Sequence, residues 1–219
     1  MISYHLLTYL SMAPQRTIGR RRNAKGEGGR LRADLIEAAA GILAETGDEL
    51  GLSLREVARR AGVSSPAVYL HFADKDALLA DVLASRFALL GQAIGAAVAA
   101  TAGGPGQRLR AGCRAYVDLA VQDPGTYRVL FGGRSAADLG RDFRESQTSA
   151  PFRSLADGIA AAQAGGEVRS GDPTRLAVPV WAALHGIATL RQARPHFDWP
   201  DAGELVDDIL EGLLGLPRA

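Results

Sequence analysis

Residues 53–79 read SLREVARRAGVSSPAVYLHFADKDALL, and this stretch decides the fold that the sequence predicts. Ser53 followed by Glu56 matches a capping box, in which each side chain accepts a backbone N–H of the other residue, so a helix begins here. The next apolar residues recur at i, i+3, i+4 and i+7 and form one face: Leu54, Val57, Ala58 and Ala61. Gly62 is suited to end the helix, because glycine adopts the left-handed conformation without a Cβ clash.

A second short helix follows the glycine. Ser64 or Ser65 can cap it, and Pro66 fits its first turn, where the missing N–H costs nothing. Val68 and Phe72 can then face inward. Two short helices joined by a turn that contains glycine predict a helix-turn-helix, which places its second helix in a DNA major groove.

Further helices flank this pair. A stripe beginning at Leu31 predicts a first helix that ends near Thr46, which would complete a three-helix unit. Asp74 can cap a long helix that runs to about Ala100, and the run of glycine and proline at 103–106 breaks it. Beyond this break, helical patterns separated by glycine and proline continue to the end. No strand alternation competes with them, so we predict an all-α fold.

The bulk composition suits a soluble globular protein, with 47% hydrophobic and 22% charged residues among 219. The net charge of +1 conceals an uneven distribution. Residues 14–32 hold seven basic residues against one acidic residue, a net charge of +6, so the rest of the chain is acidic. We expect residues 1–29 to form a flexible basic arm beside the helix-turn-helix. This arm enters an adjacent minor groove or, alternatively, adds only non-specific attraction to phosphates.

Residues 31–79 resemble the N-terminal DNA-binding domain of the TetR family of transcriptional regulators. The resemblance is carried without a gap by Ser53, Leu54, Arg55, Val57, Ala58, Ala61, Gly62, Val63, Ser64, Pro66, Ala67, Val68, Tyr69, His71, Phe72, Lys75 and Leu78. It implies an all-helical homodimer with DNA-binding residues 30–75 and a ligand-binding and dimerisation domain over residues 76–219. It also implies that the long helix after Asp74 connects the two functions.

The C-terminal part carries a second resemblance. Asp123 to Phe131, DPGTYRVLF, and Trp181 to Gly186, WAALHG, are similar to a C-terminal domain of one branch of the TetR family, named for a Trp-His-Gly signature.

The predicted DNA-binding residues come from the helix-turn-helix: Ser53, Arg55, Ser64, Ser65, Pro66, Ala67, Tyr69, Leu70, His71 and Lys75. The resemblance implies phosphate contacts for Tyr69, His71 and Lys75, which fix register without reading sequence. Tyr69 and His71 can instead have a purely structural role, and capping alone explains Ser53. The predicted groove-facing residues are Ser65, Pro66, Ala67 and Leu70, and none of them can make a bidentate contact with a base. We therefore expect thymine methyl contacts, serine hydrogen bonds and DNA shape to select the operator, with Arg55 and the arm contributing.

A ligand cavity and a dimer contact are predicted for the C-terminal domain. Aromatic and weakly polar residues on apolar helix faces are candidates for the cavity wall: Cys113, Tyr116, Phe152, Trp181, Leu184 and His185. For His185 the default interpretation is a core histidine with a backbone or side-chain hydrogen-bond partner, and the cavity is the alternative. The last helix has more apolar residues than one narrow stripe needs, so we expect dimerisation through the last two helices, with Leu205, Ile209 and Leu213 in the contact.

Several functions lack support in the sequence. The histidines show neither i, i+4 pairing nor neighbouring carboxylates, so we predict no metal site, and no phosphate loop or nucleophile motif indicates an enzyme or a cofactor. Cys113 is the only cysteine, which suits the reducing cytoplasm. We expect no signal peptide in residues 1–14 and no membrane span, because no stretch approaches the roughly 18 apolar residues that one requires.

These observations favour a ligand-responsive homodimeric repressor that a small apolar or amphipathic effector releases from a pseudo-palindromic operator in double-stranded DNA. Two alternatives stay open. The first is a dimeric small-molecule carrier whose helix-turn-helix no longer binds DNA, and the second is an enzyme.

Overall fold

The computed structural model describes residues 27–47, 49–131 and 149–218, and these residues form an all-helical structure, as predicted. The elements in chain order are α1 (Glu27–Thr46), a 3-10 turn (Glu49–Gly51), α2 (Leu54–Arg60), α3 (Ser65–Tyr69), α4 (Lys75–Ala100), α5 (Pro105–Gln122), α6 (Pro124–Phe131), α7 (Ser149–Ala164), α8 (Pro173–Ala193) and α9 (Ala202–Leu214).

The helix boundaries follow local chemistry. Asp74 caps α4 by accepting a hydrogen bond from the Ala77 backbone N–H at 2.8 Å. Asp172 caps α8 in the same way, accepting from the Thr174 N–H at 2.9 Å. Because a carboxylate at this position satisfies N–H groups that have no partner within the helix, these aspartates fix where the helices begin.

Two predictions about helix starts are wrong in part. The Ser53 hydroxyl accepts from the Glu56 N–H at 3.2 Å, but the Glu56 carboxylate does not return to Ser53. It binds Arg59 instead, at 2.8 and 2.6 Å, because a guanidinium one turn away competes for it. Helix α1 begins at Glu27, so the predicted boundary between arm and domain at 29–30 falls inside the helix. Residues 1–26 of the predicted arm lie outside the described residues.

The first four helices enclose the N-terminal core. Helix α1 packs across α2, α3 and the start of α4 through side chains that are almost inaccessible to water: Leu35, Ala39, Val57, Val68, Phe72, Leu78 and Val82. Val68 and Phe72 therefore face inward as predicted, and they hold the short helix α3 against its support. Burial of these seven side chains, rather than the intrinsic stability of a five-residue helix, fixes the position of α3.

Helix α5 lies at the centre of the C-terminal core, where α4, α6, α7, α8 and α9 pack around it. Its contact with α9 includes a buried ion pair. The Asp207 carboxylate accepts from Arg110 Nε at 3.0 Å and from an Arg114 guanidinium nitrogen at 2.6 Å, while Arg110 also donates to the Pro217 carbonyl. Buried charges of this kind are stable only when each has a partner, so the network fixes the register of α9 on α5.

Helix α6 joins the two cores. Val129 packs in the N-terminal core, whereas Tyr127 and Leu130 pack in the C-terminal core. Arg128 donates to the Ala44 carbonyl at the end of α1 at 2.7 Å. A Cβ on Gly125 would lie 2.9 Å from the Ala44 Cβ, so the glycine permits α6 to approach α1 closely. A shift of α6 is therefore transmitted directly to α1.

Helix α4 is long and apolar enough to cross a membrane by length and composition, with a mean hydropathy of 1.6 over its most apolar 18 residues. The prediction that no stretch of the chain approaches this limit is therefore wrong. The first half of α4 is buried in the two cores through Leu78, Leu83 and Leu90, and its buried Arg86 forms an ion pair with Glu37 of α1. A buried cation and a packed apolar face characterise a core helix, and we interpret α4 as the helix that links both domains.

Candidate functional site

The predicted DNA-binding residues lie on α2 and its cap, on α3 and the turns beside it, and at the start of α4. Gly62 adopts a φ of +68° after α2, which turns the chain toward α3. Pro66 lies in the first turn of α3, as predicted. Ser64 is the N-cap residue by position, but its side chain makes no capping hydrogen bond and its hydroxyl remains available.

The outward face of α3 carries exposed side chains of several kinds. Tyr69 is 60% exposed and Leu70 is 79% exposed, although both are large and partly or wholly apolar. Ser64 and Pro66 are exposed beside them. The remaining predicted groove-facing and phosphate-contacting residues of this segment are half-buried, namely Ser65, Ala67 and His71. An exposed patch of this kind next to a rigid turn is typical of an interaction surface.

The arginines of α2 differ in whether a carboxylate already binds them. Arg59 and Arg60 are held by the Glu56 and Glu45 carboxylates, which lowers the pKa of both glutamates through hydrogen bonds from the arginines. Arg55 is exposed, and within the described residues it has no ion-pair partner. Arg55 is therefore the arginine of α2 that can approach a phosphate without first breaking an ion pair.

Lys75 has a local role that the sequence did not indicate. Its ammonium donates to the Glu49 carbonyl at 2.7 Å and ties the 3-10 turn to the start of α4. An ammonium has three donors, so two remain for a phosphate at the α4 N-terminus. Ser53 is also engaged, as the cap of α2.

A cavity of about 520 Å³ lies over α5, between α4 on one side and α7 on the other. Its wall is mostly apolar, with Phe87, Ile94 and Val98 from α4 and Leu155 from α7. Trp181 and Leu184 of α8 close one end. The size and the apolar wall are those of small-molecule sites in proteins.

Four of the six predicted ligand-binding residues line this cavity: Cys113, Tyr116, Trp181 and Leu184. Phe152 and His185 do not belong to the wall. Phe152 packs edge-on against Trp181, with ring centroids 5.9 Å apart, and His185 lies behind Tyr116. Both therefore support residues that line the cavity.

Tyr116, Tyr127 and His185 form a hydrogen-bonded cluster at the inner end of the cavity. The Tyr127 hydroxyl lies 2.6 Å from His185 Nδ1, and the Tyr116 hydroxyl lies 3.2 Å from Nδ1 and 3.3 Å from the Tyr127 hydroxyl. Burial lowers the pKa of His185 and raises the pKa of both tyrosines, so all three groups are neutral at pH 7. His185 Nδ1 is therefore within hydrogen-bond distance of two hydroxyl groups, and the tautomer of the neutral imidazole decides which atom donates.

This cluster agrees with the interpretation of His185 as a core histidine with a hydrogen-bond partner, because the imidazole bonds to Tyr127 and does not line the cavity. The i, i+4 spacing from Trp181 suggested a shared cavity face, but the hydrogen-bond partner of His185 comes from α6, far away in sequence. Tyr127 was not predicted as a functional residue. Its position in DPGTYRVLF was the available signal, because that segment joins both cores.

Cys113 is buried in the cavity wall. Burial raises the pKa of its thiol to about 12, so the thiol is neutral and has little nucleophilic character. It acts as a small apolar group in this wall.

The predicted dimerisation residues form a second stripe on α9. Val206, Leu210 and Leu214 are buried, whereas Leu205, Ile209 and Leu213 are half-buried one position before each of them. The structure adds exposed apolar residues on α8 and on the loop after it that were not predicted: Val178, Leu190 and Phe197.

Comparison with known proteins agrees with this architecture. Residues 35–82 match the family described as bacterial regulatory proteins, tetR family, and residues 109–213 match the domain described as tetracyclin repressor-like, C-terminal domain. The second match includes both segments that carry the Trp-His-Gly resemblance.

Solved structures share the fold over most of their length. A protein of unknown function from Rhodococcus sp. RHA1 is 32% identical, with a TM-score of 0.73 over 86% of this chain and 96% of its own. A putative TetR-family transcriptional regulator from Mesorhizobium loti is 22% identical, with a TM-score of 0.67 over 86% and 97%. The fatty acid degradation regulator FadR from Bacillus halodurans is 16% identical, with a TM-score of 0.71 over 88% and 97%. The last two likenesses establish the fold alone. The two family matches, together with the helix-turn-helix geometry, show that the chain belongs to the TetR family of bacterial transcriptional regulators.

Proposed function

We propose that the protein is a homodimeric transcriptional repressor that binds a pseudo-palindromic operator and is released from it by a small apolar or amphipathic effector. The observation that carries the DNA-binding part is the exposed face of α3. Tyr69 and Leu70 extend into solvent from a helix that Val68 and Phe72 anchor rigidly. Exposing apolar side chains to water costs free energy unless a partner covers them. A DNA major groove could cover this face, since it offers thymine methyl groups and the adjoining phosphates.

Dimerisation would supply the specificity that α3 lacks. Its exposed side chains make few strong base contacts, so one copy would bind weakly. The half-buried stripe of α9 and exposed Val178 and Leu190 of α8 offer an apolar surface to a second copy. Two recognition helices would then lie about one helical turn apart on DNA, or a little more.

The effector would act through α4 and α6. Helix α4 lines the cavity with its second half and packs in the N-terminal core with its first half. Helix α6 carries Tyr127, which bonds to the cavity residue Tyr116, and packs against α1. A ligand that rearranges the tyrosine cluster would therefore move both helices. It can shift the conformational equilibrium only by its differential affinity for the two states.

Selection of genomic fragments by the purified protein at near-physiological salt tests the proposal. We expect enrichment of a palindromic sequence. If the protein were a small-molecule carrier or an enzyme, no DNA sequence would be enriched. That result would refute the proposal that it is a transcriptional regulator.

Variants of α3 and α4 separate the two kinds of DNA contact. Tyr69→Phe and Lys75→Ala should weaken binding to all sequences alike, because phosphate contacts carry no sequence information. Substitution of Ala67 by serine should change the preferred base instead. A change of base preference in Lys75→Ala would contradict these assignments.

A further inference from the structure

We propose that the cavity takes a linear amphiphile, with its unbranched apolar chain along α5 and its polar end between Arg108 and Asp157. This inference rests on the proposed effector function and adds the shape and orientation of the effector. It follows from the length of the cavity, the position of its charged groups and two glycines in its wall.

The cavity is elongated. It is lined from Phe87 to Val98 on α4, from Pro105 to Tyr116 on α5 and from Ala150 to Ala161 on α7. Each run spans eleven residue steps, which is about 16 Å at the helical rise per residue. This length matches an extended alkyl chain of about ten carbons together with its polar end, because such a chain can lie parallel to α5 with its apolar surface against the cavity wall.

The two ends of the cavity differ in polarity. At the inner end, Phe87, Tyr116 and Leu184 are buried. At the outer end, Arg108 and Asp157 are exposed on opposite walls. They lie at the same level, because a Cβ on Gly158 would be 3.2 Å from Leu109.

This distribution orients an amphiphile. The inner end offers hydroxyl and aromatic groups but no ionised one, so a charged head placed there would be desolvated without a partner. Within the described residues, neither Arg108 nor Asp157 has an ion-pair partner, so both are available to a polar head at the rim. Because their charges are opposite, the rim should discriminate little between an acid, an alcohol and an amine. Affinity should therefore depend mainly on the length of the ligand's alkyl chain.

Gly91 and Gly95 keep the α4 wall open. They lie one turn apart, and a Cβ built on either meets no atom within 4 Å. Gly95 lines the cavity eight of the eleven residue steps from Phe87, so a valine there would narrow the cavity toward its outer end. It should block a long chain while leaving the inner end accessible to a short one.

Calorimetric titration of the full-length protein, without DNA, measures how the affinity for an alcohol depends on the length of its alkyl chain. We expect 1-decanol to bind at least tenfold more tightly than 1-hexanol, because each fully buried methylene contributes about fourfold in Kd. Gly95→Val should weaken 1-decanol at least tenfold and 1-hexanol less than twofold. Gly29→Val is the matched control, since Gly29 also has open space around its Cβ but lies on α1. Equal affinity for both alcohols in the wild type would overturn the inference.

Rim variants test orientation without risk to the fold, because both side chains are exposed. Asp157→Asn should strengthen decanoate binding about fivefold and weaken decylamine binding about fivefold, and Arg108→Gln should have the opposite effects, as expected for one charge at about 4 Å in a water-like medium. If neither variant changes the affinity for decanoate or for decylamine, the polar end of the ligand does not lie at the rim, and the inference is overturned.

Operator release is measured separately with a labelled operator fragment. If binding depends on alkyl chain length and rim charge as expected, but 1-decanol does not change the affinity for the operator, the proposed effector function is refuted and the inference about the cavity stands. If another compound releases the operator while chain length and rim charge have no effect on binding, the function stands and the inference fails.

Discussion

Replacing Asp207 by asparagine should strongly destabilise the C-terminal domain. The Asp207 side chain is 12% exposed and accepts from Arg110 and Arg114 at 3.0 and 2.6 Å. Asparagine retains one acceptor atom but presents an amide N–H to the other guanidinium. The Arg110 side chain is only 7% exposed, so its charge would lose its counter-charge in a place that water hardly reaches.

The expected loss follows from that burial. Removing one partner of a buried ion pair typically costs about 3 to 5 kcal/mol. For a chain of this length, that loss corresponds to a fall in Tm of about 6 to 20 °C. Because domains are stable by only about 5 to 15 kcal/mol in total, the variant should approach the threshold of unfolding at 37 °C.

Urea unfolding followed by far-ultraviolet circular dichroism measures this loss. Asp208→Asn is the matched control, because the neighbouring side chain is 53% exposed and pairs with exposed Arg218. It should change the free energy of unfolding by less than about 0.5 kcal/mol. If Asp207→Asn loses less than about 1 kcal/mol, or no more than Asp208→Asn, then apolar packing alone holds α9 on α5 and the reasoning is refuted.

Three further predictions concern the thiol of Cys113, the imidazole of His185 and the arginines of α2. With its pKa raised to about 12, Cys113 should react with a thiol reagent at pH 8 about a thousandfold more slowly than in urea, and rapid labelling of the native protein would show that the cavity wall opens. Burial lowers the pKa of His185 on folding, so the contribution of this histidine to stability is complete above the unfolded pKa near 6.5 and is lost as pH falls through the folded pKa. The wild type should therefore lose more stability between pH 7 and 5 than His185→Gln. Parallel stability profiles of the two proteins against pH would contradict this assignment. Arg55→Ala should reduce the slope of log K against log salt for DNA binding by about 1, whereas Arg59→Ala, whose guanidinium is held by a carboxylate, should reduce it less; equal reductions would mean that the ion pair opens on DNA.

Local signals in the sequence predicted much of this structure. The caps at Asp74 and Asp172 and the inward positions of Val68 and Phe72 depend on residues only a few positions apart. Periodicity and capping determine such features before tertiary contacts form, which is why they could be predicted.

The features that were missed depend on contacts between distant segments. Lys75 donates to Glu49, and His185 bonds to Tyr127, 58 residues earlier in the chain. The open wall at Gly91 and Gly95 exists only because α4 and α7 stand apart over α5. A single sequence contains no periodic signal for such juxtapositions, and a glycine within a helix looks the same whether it faces a cavity or solvent.

Hydroxyl-radical footprinting on a selected genomic fragment measures directly how a dimer contacts DNA. We predict two protected segments on one face of the DNA, centred about 10 base pairs apart or slightly more, because two copies of α3 would enter successive major grooves. Substitution of exposed Leu70 by glutamate should abolish both segments together without changing the thermal stability of the protein. A single protected segment, or protection that survives this substitution, would contradict the account.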